Sequence, residues 1–300
     1  MTACRLSILQ KHVDAAMTHQ ITFKILENIA QDLSGEQVSF PTFLDVTFKV
    51  RTALKNPNLN VEQLARLVSI EPLMSAKIIR MANSVALNVS GRPVADVKNA
   101  IVRVGMEAVR TISFAVAMEQ LIHSRQMQAF ADISRKLWDH TAHTAAICRI
   151  LAPKIAPRIN PDEAMFAGMV HDIGVFYLLS RAAPFPELVQ NREALYDLLL
   201  GWHDNIGHAL LSALGQPEQI LIAVQEHEQD REIKREKTLS DVLFIANKIA
   251  NSMSSWQSDN LDPNEHDLAR VAQILDADTL QDIREKSREA IVSLKQALGS

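Results

Sequence analysis

The chain has 300 residues, of which 47% are hydrophobic and 5% aromatic, with two cysteines and a formal net charge of −4. That length can bury a substantial core in one large or two moderate domains, and the apolar fraction argues against a disordered chain. The longest strongly apolar run, Ile112–Met118, is too short to span a bilayer, and Gln, Lys, His and Asp break up the N-terminal stretch that a secretory leader would need, so membrane insertion is set aside.

Charge is unevenly spread. Residues 1–130 carry 14 basic and 10 acidic side chains, a balance of +4, and residues 131–300 carry 17 and 25, a balance of −8. A mild excess of +4 is no nucleic-acid footprint, whereas an acidic second half suits a divalent cation or a basic partner. Cys4 and Cys148 have no CxxC partner, so free thiols in a reducing cytoplasm are expected.

Abundant Ala, Leu, Ile and Met with only nine Gly predict an all-α fold, and no convincing period-two run marks a strand. Residues 1–20 read as a helical arm. Apolar residues between Ile21 and Leu33 predict a helix, and another runs from Phe43 to Leu54. Asn60 with Gln63 forms a capping-box pattern opening Val61–Val68, and Pro72 opens Leu73–Ala82. A helix carrying Val97–Val104 ends at Gly105, and Met106–Ile122 follows. Gln126–Ala152 is a long amphipathic pattern stopped by Pro153, and Asn160-Pro161-Asp162-Glu163 is a strong helix start. Further helices are expected at Arg192–Leu214, Pro217–Glu228 and Thr238–Met253, after Asp262-Pro263, and over Ala277–Leu298. Gln229–Lys237 reads as a solvated turn. The boundaries expected are an N-terminal lobe over 21–122, a second lobe over 123–254 and a helical extension over 255–300.

Chemistry concentrates in His140, His171, Asp172, His208 and His227. Neighbours such as His171 and Asp172 differ by about 100° around a helix, so they can converge on one point only at a helix end or turn. Gly174 is expected to permit that turn. The doublet alone is a weak signal that fits a cap or a core hydrogen bond equally well. His140 and His143 share a face, so one of them is a surface or supporting residue, and His208 and His227 also read as ordinary helix residues. His123, His203 and His266 carry no pattern, and Trp138 reads as core. Arg103 and Arg110 fit phosphate binding or a solvated face.

In sequence context the doublet says more. The segment AGMVHDIG resembles the His–Asp motif of the HD phosphohydrolases, and LWDHTAHTAA resembles the segment that supplies an earlier His, here His140. Upstream, EPLMSAKIIRMANS and VKNAIVRVGMEAVRTISFAVAM resemble the HD-related output domain, HDOD, of bacterial signalling proteins, and GHALLSALGQPEQILIAVQEHE resembles its later helix pair. The resemblance spans roughly residues 21–250. It implies an HD-like helical bundle with a metal site at His140, His171, Asp172, His208 and His227, where Asp172 would be the catalytic carboxylate. Imidazoles and one carboxylate suit Mn, Fe, Ni or Zn better than Ca. Second carboxylates supporting the imidazoles would be Asp139, Glu226 or Glu228.

One departure matters. The family closes its metal shell with a late Asp, and in LFIANKIA that place holds Asn247, a neutral ligand. Asp241, six residues earlier, lies roughly 240° round the helix and is a poor stand-in. The expected function is therefore a cytoplasmic signalling or regulatory protein with a degenerate metal site that works through protein–protein contacts. Its competitor is a metal-dependent phosphohydrolase acting on a nucleotide or other phosphate ester. Neither reading involves nucleic acid as partner or a membrane.

Overall fold

Helices account for every regular element among the described residues of the computed structural model, which are 20–33, 45–84, 87–88, 91–231, 233, 237–257 and 264–298. Residues 1–19 of the expected arm over 1–20, and the helix start at Asp262-Pro263, lie outside them. In chain order the helices are α1 (20–33), α2 (Asp45–Leu54), α3 (Val61–Ser69), α4 (Pro72–Ala82), α5 (Val97–Val104) and α6 (Met106–Ile122). A 3-10 turn, Arg125–Phe130, leads to α7 (Ala131–Ile155), α8 (Pro161–Val170), α9 (Ile173–Ala182), α10 (Pro186–Gln190) and α11 (Arg192–Ala213). The chain continues through α12 (Glu218–Glu226), α13 (Leu239–Asn251), α14 (Asn264–Ala272) and α15 (Ala277–Leu298).

The punctuation read from sequence does the work expected of it. Asn60 and Gln63 form the reciprocal capping box of α3, and Asn160 accepts a hydrogen bond from the Asp162 N–H ahead of α8. Gly105 joins α5 to α6 at φ 90°, a backbone region that side chains with a Cβ rarely enter. Asn83 bonds both the N–H and the carbonyl of Val94, pinning the loop between α4 and α5. Pro153 departs from expectation. It sits inside the last turn of α7, which runs on to Ile155. α9 and α10, which no sequence signal had separated out, fill the stretch after the His–Asp doublet.

Two cores form. A smaller one gathers Val50, Leu64, Val68, Met74, Ile78, Ile101, Val104 and neighbours from α2–α5. The larger one draws on α7–α13 and also holds Ile25 and Ile29 of α1. α6 serves both, giving Val109, Ile112 and Val116 to the small core and Phe114, Met118 and Leu121 to the large one. Its low amphipathicity follows from this, because a helix buried on all sides has no polar stripe. α15 packs against α7 and α4, so the C-terminal helix braces both lobes, and Lys295–Asp139 (2.6 Å) and Lys154–Asp282 (2.8 Å) fix it there.

Candidate metal centre

Four helical segments each contribute to one buried point in the large core. His140 lies in mid-α7, His203 in mid-α11 and His227 at the C-cap of α12. His171 and Asp172 form the joint between α8 and α9. There Asp172 adopts φ −99°, ψ 18°, off the helical path, so the two adjacent side chains can turn toward the same place. All five residues are at most 1% exposed.

Gly174 has a different role from the one expected. It lies within α9 and its φ is not positive. Instead a Cβ at this position would meet the His203 carbonyl oxygen at 1.9 Å and the Gly207 nitrogen at 2.8 Å. The glycine is there for close helix approach, which sets α11, and with it His203, against the doublet. Gly168 does the same on the other side, where a Cβ would stand 2.7 Å from the Ala145 Cα of α7.

The imidazoles share one orientation. Each Nδ1 donates to a backbone carbonyl: His140 to Ser254 (2.8 Å), His171 to Gly168 (2.8 Å), His203 to Leu199 (3.0 Å) and His227 to Val224 (2.6 Å). With Nδ1 carrying the proton, every Nε2 presents a lone pair inward. The two oxygens of Asp172 face different pairs. Oδ2 lies 3.2 Å from His171 Nε2 and 3.8 Å from His140 Nε2, and Oδ1 lies 3.5 Å from His227 Nε2 and 3.9 Å from His203 Nε2.

This donor set fits a divalent cation. Asp172 Oδ1, His203 Nε2 and His227 Nε2 are buried without a hydrogen-bond partner, a costly state for polar atoms. The Nε2 atoms of His140 and His171 stand 3.2 Å apart, lone pair toward lone pair, unless a proton or a cation lies between them. Imidazoles held by backbone carbonyls are how metal-binding histidines are oriented. His140, His171 and Asp172 form one group of ligating atoms close enough to hold an ion, and Asp172, His203 and His227 form a second.

Charge follows the same geometry. Burial pushes the His140 pKa down to about 4, against the pull of Asp172, with the His171 charge adding to the fall. Burial alone would raise Asp172, but the charges of His171 and His140 and the close approach of the His171 and His227 imidazoles hold it well below the usual carboxylate range. Burial would likewise depress His227, yet the Asp172 carboxylate 3.5 Å from its Nε2 and the charge of Glu228 leave it raised.

One expected residue is not brought to the cluster. His208 is only half-buried and belongs to neither group; His203 stands there instead. The two are five residues apart on α11, about 140° round the helix, so they cannot share a face. A sequence signal for His203 existed. It stands in the buried row Leu195, Leu199, His203, Gly207, Leu211, spaced by four, while His208 lies off it. Asp241 is likewise outside the cluster, where its carboxylate closes a capping box with Thr238 and faces Arg231 at 3.6 Å. Asn247 is 2% exposed and lies close enough to His140 to favour its protonated form, although its Oδ1 makes no hydrogen bond of normal geometry. His143 bonds the Asp139 carbonyl instead of the cluster. Of the expected supporting carboxylates, only Glu228 approaches, 3.7 Å from His203 Nε2, while Asp139 pairs with Lys295 and Glu226 with Arg231.

Sequence reading also missed the cover. After α13 the chain folds back as a strap, and Trp256 Nε1 donates to Asp172 Oδ2 at 2.9 Å. The Trp256 ring is 1% exposed and stacks on Tyr196, whose hydroxyl donates to the Trp256 carbonyl. An isolated Trp in the polar stretch NSMSSWQSD gave no periodic signal.

Comparison with known proteins places this geometry. The HDOD domain model matches residues 40–230. A search of curated proteins gives no match. Among solved structures, a proposed metal-dependent phosphohydrolase from Shewanella amazonensis superposes with TM-score 0.72 at 22% identity, covering 92% of this chain and 99% of its own. A second proposed phosphohydrolase from the same organism gives TM-score 0.62 at 21% identity, covering 90% and 97%. An HDOD domain protein of unknown function from Geobacter sulfurreducens gives 0.60 at 17%, covering 95% and 98%. At these identities the solved structures speak for the fold, and the matched domain model, which spans most of the chain, makes it a member of the HDOD family.

Proposed function

We propose that this protein is a regulatory HDOD module that acts through protein–protein contacts, with its His/Asp cluster serving as a closed clamp for a divalent cation. The carrying observation is the seal at Trp256. The indole caps the carboxylate that would have to meet a substrate, and every cluster residue is at most 1% exposed. A phosphate ester could meet Asp172 Oδ2 only once Trp256 had given up that hydrogen bond. Asn247 supports the same reading, since it leaves the cluster with a single carboxylate at its centre. Mn, Fe, Ni or Zn would suit the donors, imidazole nitrogens with the one carboxylate that the two groups share. In such a clamp α7, the α8–α9 joint, α11 and α12 are held at fixed spacing, and a partner reads the surface that this spacing sets.

The second reading, a metal-dependent phosphohydrolase, draws on the same five residues. A cation there supplies Lewis acidity toward a phosphoryl oxygen. Asp172 and the imidazoles would hold the cation, and the strap would have to swing out to admit a phosphate ester. A panel of phosphomonoesters and phosphodiesters, tested with Mn, Ni or Fe on the purified chain, separates the two readings. The regulatory reading expects no turnover. Metal-dependent turnover abolished by Asp172→Ala overturns it.

A further inference from the structure

The cluster is built on two His–acid doublets. His227 is the C-cap of α12 and Glu228 follows it in the turn, just as His171 is the C-cap of α8 and Asp172 follows it. The two share a local build. Both histidines keep helical backbone angles, φ −59° and −65°, and both donate Nδ1 to the carbonyl three residues back, Gly168 in one case and Val224 in the other. A histidine fixed in that way presents a bare Nε2. The acid after it, in the turn at the helix end, can point its carboxylate to the same place.

Glu228 does so. Its Oε2 lies 3.7 Å from His203 Nε2, and Asp172 Oδ1 lies 3.9 Å from the same atom. His203 Nδ1 already donates to Leu199, so Nε2 carries a lone pair and faces two carboxylate oxygens with no hydrogen-bond partner. Three electron-rich atoms gathered in this way repel one another unless a cation joins them. Two ligands about 2.1 Å from one ion in a tetrahedral shell stand roughly 3.4 Å apart, which is near both spacings.

The carboxylate is also oriented. Gln257 of the strap donates to Glu228 Oε1, which leaves Oε2 for the His203 side. The Glu228 side chain is 32% exposed, so its charge is carried at the rim, where desolvation costs less than in the core. Being long and partly exposed, it can follow an ion inward without unpacking the helices. The donor count leaves it a place, because Asp172, His203 and His227 form a group of three and a tetrahedral shell takes four.

We propose that Glu228 is the fourth ligand of an ion held by Asp172, His203 and His227. It is then the second carboxylate of the centre, and it supplies from the rim the charge that Asn247 does not supply from within. The assignment rests on the metal-holding reading of the cluster and adds a ligand that the His–Asp motif does not name.

Competition of the full chain against a calibrated chelator for Co(II), a coloured substitute for the other divalent ions, tests it, with the visible absorption of the loaded protein as a second readout. Glu228→Gln removes the charge and keeps an oxygen that can accept from Gln257, and ligand-free melting checks that the fold is kept. Its affinity should fall at least about tenfold, and its absorption band should shift because a ligand has changed. Glu226→Gln is the control. It removes the same charge two residues earlier, from a side chain paired with Arg231, and should leave both readings near wild type. A wild-type chain that takes up no Co(II) defeats the metal reading and this assignment together. A wild type that loads, with Glu228→Gln matching Glu226→Gln in affinity and band position, overturns the assignment alone.

Discussion

The indole N–H of Trp256 donates to Asp172 Oδ2 at 2.9 Å, across 84 residues of chain, and both side chains are 1% exposed. A neutral donor on an ionised carboxylate gives a charge-assisted hydrogen bond worth roughly 1.5–3 kcal/mol. Trp256→Phe keeps the ring and loses the bond, so unfolding in urea should show a loss within that range. Trp256→Ala also removes the ring, and cost should rise to about 3–5 kcal/mol. In both variants a chelator should strip bound metal faster than from the wild type, which stopped-flow mixing with EDTA measures. An unchanged release rate would mean the strap is no barrier.

Gly174→Ala drives a Cβ into the His203 carbonyl, and backbone cannot yield as a flexible side chain would. Overpacking of this kind costs about 1–3 kcal/mol or more, and here it also moves His203 away from Asp172. Gly201→Ala is the control, because nothing lies within 4 Å of its added Cβ. In the middle of α11 it should stabilise by roughly 0.5–1 kcal/mol. Urea denaturation of the two variants should give shifts of opposite sign.

Asn247→Asp places a carboxylate beside His140. A unit charge 4 Å from a cation at an effective dielectric near 20 contributes roughly 4 kcal/mol before the new carboxylate's desolvation is subtracted. Metal affinity should rise at least about tenfold, which needs only ~1.4 kcal/mol to survive that subtraction. Competition against a calibrated chelator reads it. Equal or weaker affinity would show that position 247 lies beyond reach of the cation.

In metal-free protein the histidines should pull in opposite directions with pH. The folded pKa of His140 is about 4, below its unfolded value of 6.5, so its contribution is complete above pH 6.5 and is lost as the pH falls toward 4. The span corresponds to about 3 kcal/mol as an upper bound. His227 is raised, so its contribution is complete below 6.5 and is lost as the pH climbs through its folded value. Asp172, held low, contributes above its unfolded pKa near 3.8 and fails only in stronger acid. His140→Asn should therefore flatten the stability profile between pH 6.5 and 4 when urea midpoints are measured in EDTA. A slope as steep as wild type would place that titration on another group.

Much of this was legible in the sequence because it was local. The capping box at Asn60, the Asn160-Pro161 start and the Gly105 junction depend on residues within a turn of one another, and the structure keeps all three. His140, His171, Asp172 and His227 were readable through an ordered series of motifs. His203 was not, because the motif text pointed to His208 and only the apolar row of α11 distinguishes the two. Gly174 was read as a turn residue, although its constraint comes from α11, some thirty residues on, and close helix approach leaves no local trace. Trp256 depends wholly on tertiary folding, since nothing near it in sequence shows that it closes onto Asp172.

The central claim is that the buried cluster of His140, His171, Asp172, His203 and His227 holds a divalent metal. Elemental analysis of the purified chain, beside His171→Ala and His203→Ala, tests it most directly. The account predicts at least one equivalent of Mn, Fe, Ni or Zn in the wild type and a large loss in both variants. A wild-type chain that carries no metal and gains no thermal stability when each of these ions is added would contradict it.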